Sequence, residues 1–160
     1  MTSSTHRSIY LLVFRSPVFP AHWALWVPRA DNPHVGKIIS AVGDPSTNFA
    51  HEFQRNFSPS APSSMFPILL SNTVDPKHIV DGDLDSESTI DAHATDDLEN
   101  VALTVPPPGK SLNSVADSGV KRRVAIKNCQ TWMREYVVKL IESGILDASA
   151  VGIVDGAPKN

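Results

Sequence analysis

The sequence is poor in the features that mark several large protein classes. It holds one cysteine in 160 residues, which excludes an internal disulfide framework and any zinc site built from several thiolates. Its longest apolar run, residues 9–14, is six residues, far below the ~18 that a membrane-spanning helix needs. Positive charge is not in excess: 14 Lys and Arg stand against 17 Asp and Glu, for a net charge of −3. There is therefore no basic footprint for nucleic acid. A secretory leader is also missing, because Arg15 follows the short apolar run at once and no small-residue cleavage pattern comes after it. These absences point to one domain over residues 1–160, expected in the cytoplasm without a membrane segment, metal or cofactor.

What is present divides into three stretches. The first seventy residues read as short strands between turns. Residues 9–14 form an apolar run rich in β-branched and aromatic side chains, closed by Ser16-Pro17. Residues 22–27 carry Trp23 and Trp26 between Pro20 and Pro28, which suits a strand better than a helix. Residues 37–42 make a third strand, closed by Gly43-Asp44-Pro45. Residues 49–57 make a fourth, with Phe49, His51, Phe53 and Arg55 on one side. Residues 65–70 complete the set. Sequential short strands with tight connections predict an antiparallel meander.

The middle stretch has no Lys or Arg between Lys77 and Lys110, yet it supplies Asp81, Asp83, Asp85, Glu87, Asp91, Asp96, Asp97 and Glu99. Residues 83–87 alternate acids as a calcium loop does, without the glycine and glutamate spacing of an EF-hand. The stretch reads as a mobile, solvated acidic loop over about 75–120, with one or two helical turns over 96–103. Pro106-Pro107-Pro108-Gly109 stops any regular element.

The last third holds one strong helix. Cys129, Trp132, Met133, Tyr136, Val137, Leu140 and Ile141 recur at spacings of three and four, with Asn128 as N-cap and Gly144 as terminator. The expected span is 129–143. The only cysteine sits in the first turn of this helix, where unpaired backbone N–H groups favour a thiolate and an oxyanion. A lone cysteine on an apolar stripe is most often a small core residue, so a basic partner decides its chemistry. On spacing alone His22 and His51 are both eligible.

Residues 22–27, His-Trp-Ala-Leu-Trp-Val, followed about a hundred residues later by Asn128-Cys129-Gln130-Thr131-Trp132, resemble the circularly permuted papain-like thiol superfamily. The lecithin:retinol acyltransferase-like and NlpC-like enzymes belong to that group. Within it, the chain is similar to small fungal proteins that add a Pro-Gly-Lys-Ser segment, here Pro108-Gly109-Lys110-Ser111. The resemblance implies an α+β fold, with an antiparallel sheet from the N-terminal half packed against the C-terminal helix that bears the cysteine. It further implies Cys129 as nucleophile and His22 as general base. The family's third polar residue, which orients the imidazole, falls on Ser40, with His51 or Glu52 as substitutes.

Three functional readings follow. The first is a cysteine-dependent hydrolase, amidase or acyltransferase acting on a small-molecule amide or ester through a thioester on Cys129. The second is a small-metabolite cyclase or isomerase of a fungal biosynthetic (secondary-metabolism) pathway. It uses the same pair as acid and base, in a cleft of Trp23, Trp26, Trp132 and His51. The third is a non-catalytic binding module on a degenerate papain-like scaffold. None of these readings fixes an oligomeric state.

Overall fold

The computed structural model describes residues 6–15, 21–43, 49–58, 65–82, 89–107 and 128–159. Six strands form one open antiparallel sheet: β1 (Arg7–Phe14), β2 (His22–Pro28), β3 (Gly36–Val42), β4 (Ala50–Phe57), β5 (Met65–Val74) and β6 (Thr89–Asp91). Three helices accompany it: α1 (Asp97–Thr104), α2 (Cys129–Glu142) and α3 (Ser149–Asp155). The fold is therefore α+β. No described helix is long and apolar enough to cross a membrane.

The strand order is β5-β1-β2-β3-β4-β6. The first four strands form the expected meander, but the fifth does not follow the fourth across the sheet. It returns to the far edge, where Leu11 faces Ile68 and Phe14 faces Met65. The reason lies in β1: Ile9, Leu11, Leu12 and Val13 are almost fully buried, in an apolar run that needs a strand on each side. The β2–β3 connection is tight. Val35 N–H donates to the Asn32 carbonyl and His34 N–H to the Asn32 side chain, an Asx-type turn. A side chain at Gly36 would meet the Val27 carbonyl oxygen at 2.2 Å, so only glycine fits at that crossing.

Strand alternation gives the sheet two faces. Ile9, Leu11, Val13, Trp23, Leu25, Val27, Ile39, Ala41 and Phe53 face the helices and share one core with Leu98, Trp132, Met133, Tyr136, Leu140 and Val154. Leu12, Ala24, Trp26 and Ile38 form a second cluster on the opposite face, with Tyr10, Phe14, Phe57 and Met65 against it. This division decides much of the chemistry below.

Helix α2 begins where the sequence places it. The Asn128 carboxamide oxygen accepts from the N–H groups of Gln130 and Thr131 at 3.0 and 3.2 Å, and the Thr131 hydroxyl accepts in return from Asn128 N–H. Gly144, at a φ of 78°, ends it. Replacing Asn128 by alanine orphans these donors and is expected to lower stability by about 1 kcal/mol in a urea titration. An unchanged midpoint would show that the cap is idle.

The acidic stretch is partly ordered secondary structure. The Asp96 side chain caps α1 by accepting from Glu99 N–H at 2.9 Å. Asp96 and Glu99 are buried, and both pair with Lys37 of β3; Glu99 also holds Arg55 of β4 at 2.6 Å. Asp81 pairs with Arg7 at 2.8 Å. These carboxylates are thus drawn inward by cations on the strands, a placement that acidic composition alone does not suggest. The calcium-like residues 83–87 and the Pro108–Ser111 motif lie outside the described residues.

Candidate functional site

The head of α2 packs against the start of β2. Cys129 is buried, and its Sγ approaches the Ala21 carbonyl oxygen at 3.8 Å. Burial pushes the thiol above its ordinary pKa, while the backbone N–H groups of Trp23, Cys129 and Gln130 pull the other way without overcoming it. The thiol is therefore protonated at neutral pH. The N–H groups of Gln130 and Thr131, read from sequence as free for an oxyanion, are occupied by the Asn128 side chain.

His22 begins β2 and Cys129 opens α2. Ala21 and Trp23, which flank His22, belong to the helix-facing core together with Cys129. The His22 ring instead lies 5.6 Å from the Phe14 ring, and Phe14 packs on the second cluster. Among the described residues no hydrogen bond joins the His22 ring to the Cys129 thiol, and alternation along β2 sets His22 opposite Ala21 and Trp23. Burial also lowers the His22 pKa, consistent with a neutral ring on an apolar surface. Ser40 is buried on β3, two residues from Ile38 and hence on the His22 side of the sheet. Among the described residues no hydrogen bond joins it to that imidazole.

The four residues expected to line a substrate cleft are scattered. Trp26 sits in the second cluster against Phe57. Trp132 is fully buried, with its Nε1–H donating to the Val105 carbonyl at 2.9 Å. His51 does face α2, yet its Nε2 is engaged by the same Val105 carbonyl at 2.7 Å, with the ring 5.7 Å from Trp132. Of the four, Trp23 is the one that lines the space at the head of α2.

That space is a groove of about 330 Å³ lined by Trp23, Asn128, Gln130, Thr131, Arg134, Asp155 and Lys159. Two cations face one carboxylate there. Arg134 gives Asp155 two hydrogen bonds, at 2.7 and 3.2 Å, which leaves most of its five N–H donors for other partners. Lys159 lies 5.3 Å above the Trp23 ring. Thr131 and Arg134 fall outside the apolar stripe of the helix, and nothing in the sequence marks Asp155 or Lys159. The signal was faint: an exposed helix face becomes a groove wall only once the chain after it folds back. Among the described residues no three His, Cys, Asp or Glu side chains gather as metal ligands would.

A protein-family model, described as a family of unknown function (DUF6540), matches residues 9–147. No curated protein and no solved structure matches the chain.

Proposed function

The chain therefore belongs to this family of unknown function, and we propose that it is a non-catalytic binding module for a small organic anion. The observation that carries this reading is that no hydrogen bond joins the Cys129 thiol to the His22 ring among the described residues, the ring lying instead against Phe14. A thiol enzyme needs a nucleophile within hydrogen-bond reach of its base and free donors for the oxyanion. Here the thiol is buried, its pKa is raised by that burial, and Asn128 accepts from the Gln130 and Thr131 N–H groups. The groove beside Trp23 offers what binding requires instead. It has the size of a small-molecule site, an indole border, and Arg134 and Lys159 against Asp155.

Benzoate serves as a simple aryl carboxylate probe. Its titration into the protein is expected to give saturable NMR shifts at the Gln130 and Thr131 amides and the Trp23 indole, weakened at least tenfold by Arg134→Ala. Shifts absent from these three groups would overturn the anion site.

A second reading keeps the thiol chemistry, as hydrolase, amidase or acyltransferase, or as cyclase or isomerase by proton transfer, on a permuted papain-like scaffold. It is favoured by the three backbone N–H groups that act on the Cys129 thiol. Intact-mass measurement after p-nitrophenyl acetate treatment separates the two readings. The binding module predicts no acyl group on Cys129 at pH 7. An adduct that forms in the native protein and disappears in His22→Ala establishes the enzyme.

A further inference from the structure

The segment that follows α3 folds back across the head of α2. The Lys159 carbonyl accepts from Ala21 N–H and from the Gln130 carboxamide, both at 2.9 Å, and the Pro158 carbonyl accepts from the Trp23 indole at 3.0 Å. The Lys159 ammonium closes the contact by lying over the Trp23 ring and donating to the Asp155 carbonyl at 3.2 Å. The Trp23 ring lies under this cover, and the buried Cys129 thiol adjoins it: Sγ meets the Ala21 carbonyl, which shares the Gln130 carboxamide with the Lys159 carbonyl.

We propose that Ala157–Lys159 is a releasable strap, closed in this structure, whose local opening uncovers Cys129 and the Trp23 indole while the sheet and α2 stay folded. This inference rests on the strap's own contacts and does not depend on the anion site.

The asymmetry of the attachment supports release. Only Ala157 of the three residues is buried; Pro158 and Lys159 are exposed. Every hydrogen bond from β2 and α2 to the strap ends on two adjacent carbonyls, so one displacement breaks all three. Pro158 has no N–H and adds no backbone donor of its own. The strap leaves the end of α3, where the Gly156 N–H completes the helix on Gly152 and the Ala157 N–H bonds the Val154 carbonyl. Pro158 and Lys159 are thus held by three hydrogen bonds and one cation–ring contact, and exposed contacts of this kind open at free energies well below global unfolding. Opening would free the Ala21 N–H, the Trp23 indole N–H and the Gln130 amide together, around the thiol.

Iodoacetamide labelling of Cys129 in the full chain, followed by mass spectrometry over a series of low urea concentrations, tests the strap. Local opening gives a labelling rate nearly independent of urea until the unfolding transition. Gln130→Ala and Lys159→Ala should each raise that rate about tenfold without moving the unfolding midpoint appreciably. A wild-type rate that climbs with urea at the slope of global unfolding overturns the proposal, even if a variant misfolds. So does an unchanged rate in both folded variants.

Discussion

Replacing Glu99 by glutamine is expected to lower the unfolding free energy by about 3–5 kcal/mol at pH 7. The side chain is fully buried, and it holds Lys37 and Arg55 together while accepting from the Thr95 N–H at 3.2 Å. Glutamine keeps its shape, so the change removes charge and leaves packing intact. Lys37 retains Asp96, and Arg55 retains Asp91 at the rim at 3.5 Å. Arg55 nevertheless exchanges a buried carboxylate at 2.6 Å for a half-exposed one at 3.5 Å, and removing one partner of a buried pair costs far more than the pair is worth. Combining Glu99→Gln with Lys37→Met removes one charge of each sign. The double variant should therefore lose less than the sum of its parts, by more than about 1 kcal/mol. Urea titrations of the four proteins measure this coupling; additive losses would dissolve the network as an energetic unit.

The same network sets an acid limit. Burial pushes the Glu99 carboxyl up, but the Arg55 hydrogen bonds and the Lys37 and Arg55 charges outweigh it, so the group titrates below its ordinary value of 4.5. The unfolded chain then binds the proton more readily than the folded one. Its contribution to stability is complete above the ordinary value and is lost as pH falls through the lower folded one. Stability of the native protein should fall below about pH 4.5, and Glu99→Gln should flatten that slope.

Local periodicity reached the helix and most of the strands, because each records its environment in its own residues. The Cys129 stripe of α2 spans four turns, and its cap and terminator stand at both ends. Strand β5 was legible as a strand but not as a neighbour of β1, since pairing is a property of two segments. Helix α3 left almost no pattern: seven residues with Gly152 inside carry little helical preference. The facing of the candidate site was hidden for a related reason. Motif spacing put His22 on β2 and Cys129 on α2, but a strand has two faces and only the register of the whole sheet says which one meets the helix. Lys37 and Arg55 were hidden in the same way, as their partners Asp96 and Glu99 lie about forty to sixty residues away.

Trp132→Ala is expected to destabilise the protein by about 3–5 kcal/mol while leaving benzoate binding at the Trp23 groove within about twofold. Trp132 was a candidate for contact with a ligand, but it is fully buried and its ring packs on Tyr136 at a 4.9 Å centroid distance. Its indole N–H joins His51 on the Val105 carbonyl, tying the end of α1 to α2 and β4. Truncation removes that tie and leaves a cavity that the surrounding strands cannot fill. Trp132→Phe separates the two effects, because it keeps an aromatic ring and loses the donor; its smaller loss, about 1–3 kcal/mol, reflects the hydrogen bond and the residual void. Thermal and urea unfolding measure both variants. Should Trp132→Ala stay as stable as the native chain yet abolish binding, the residue belongs to a ligand site and the core has been assigned to the wrong tryptophan.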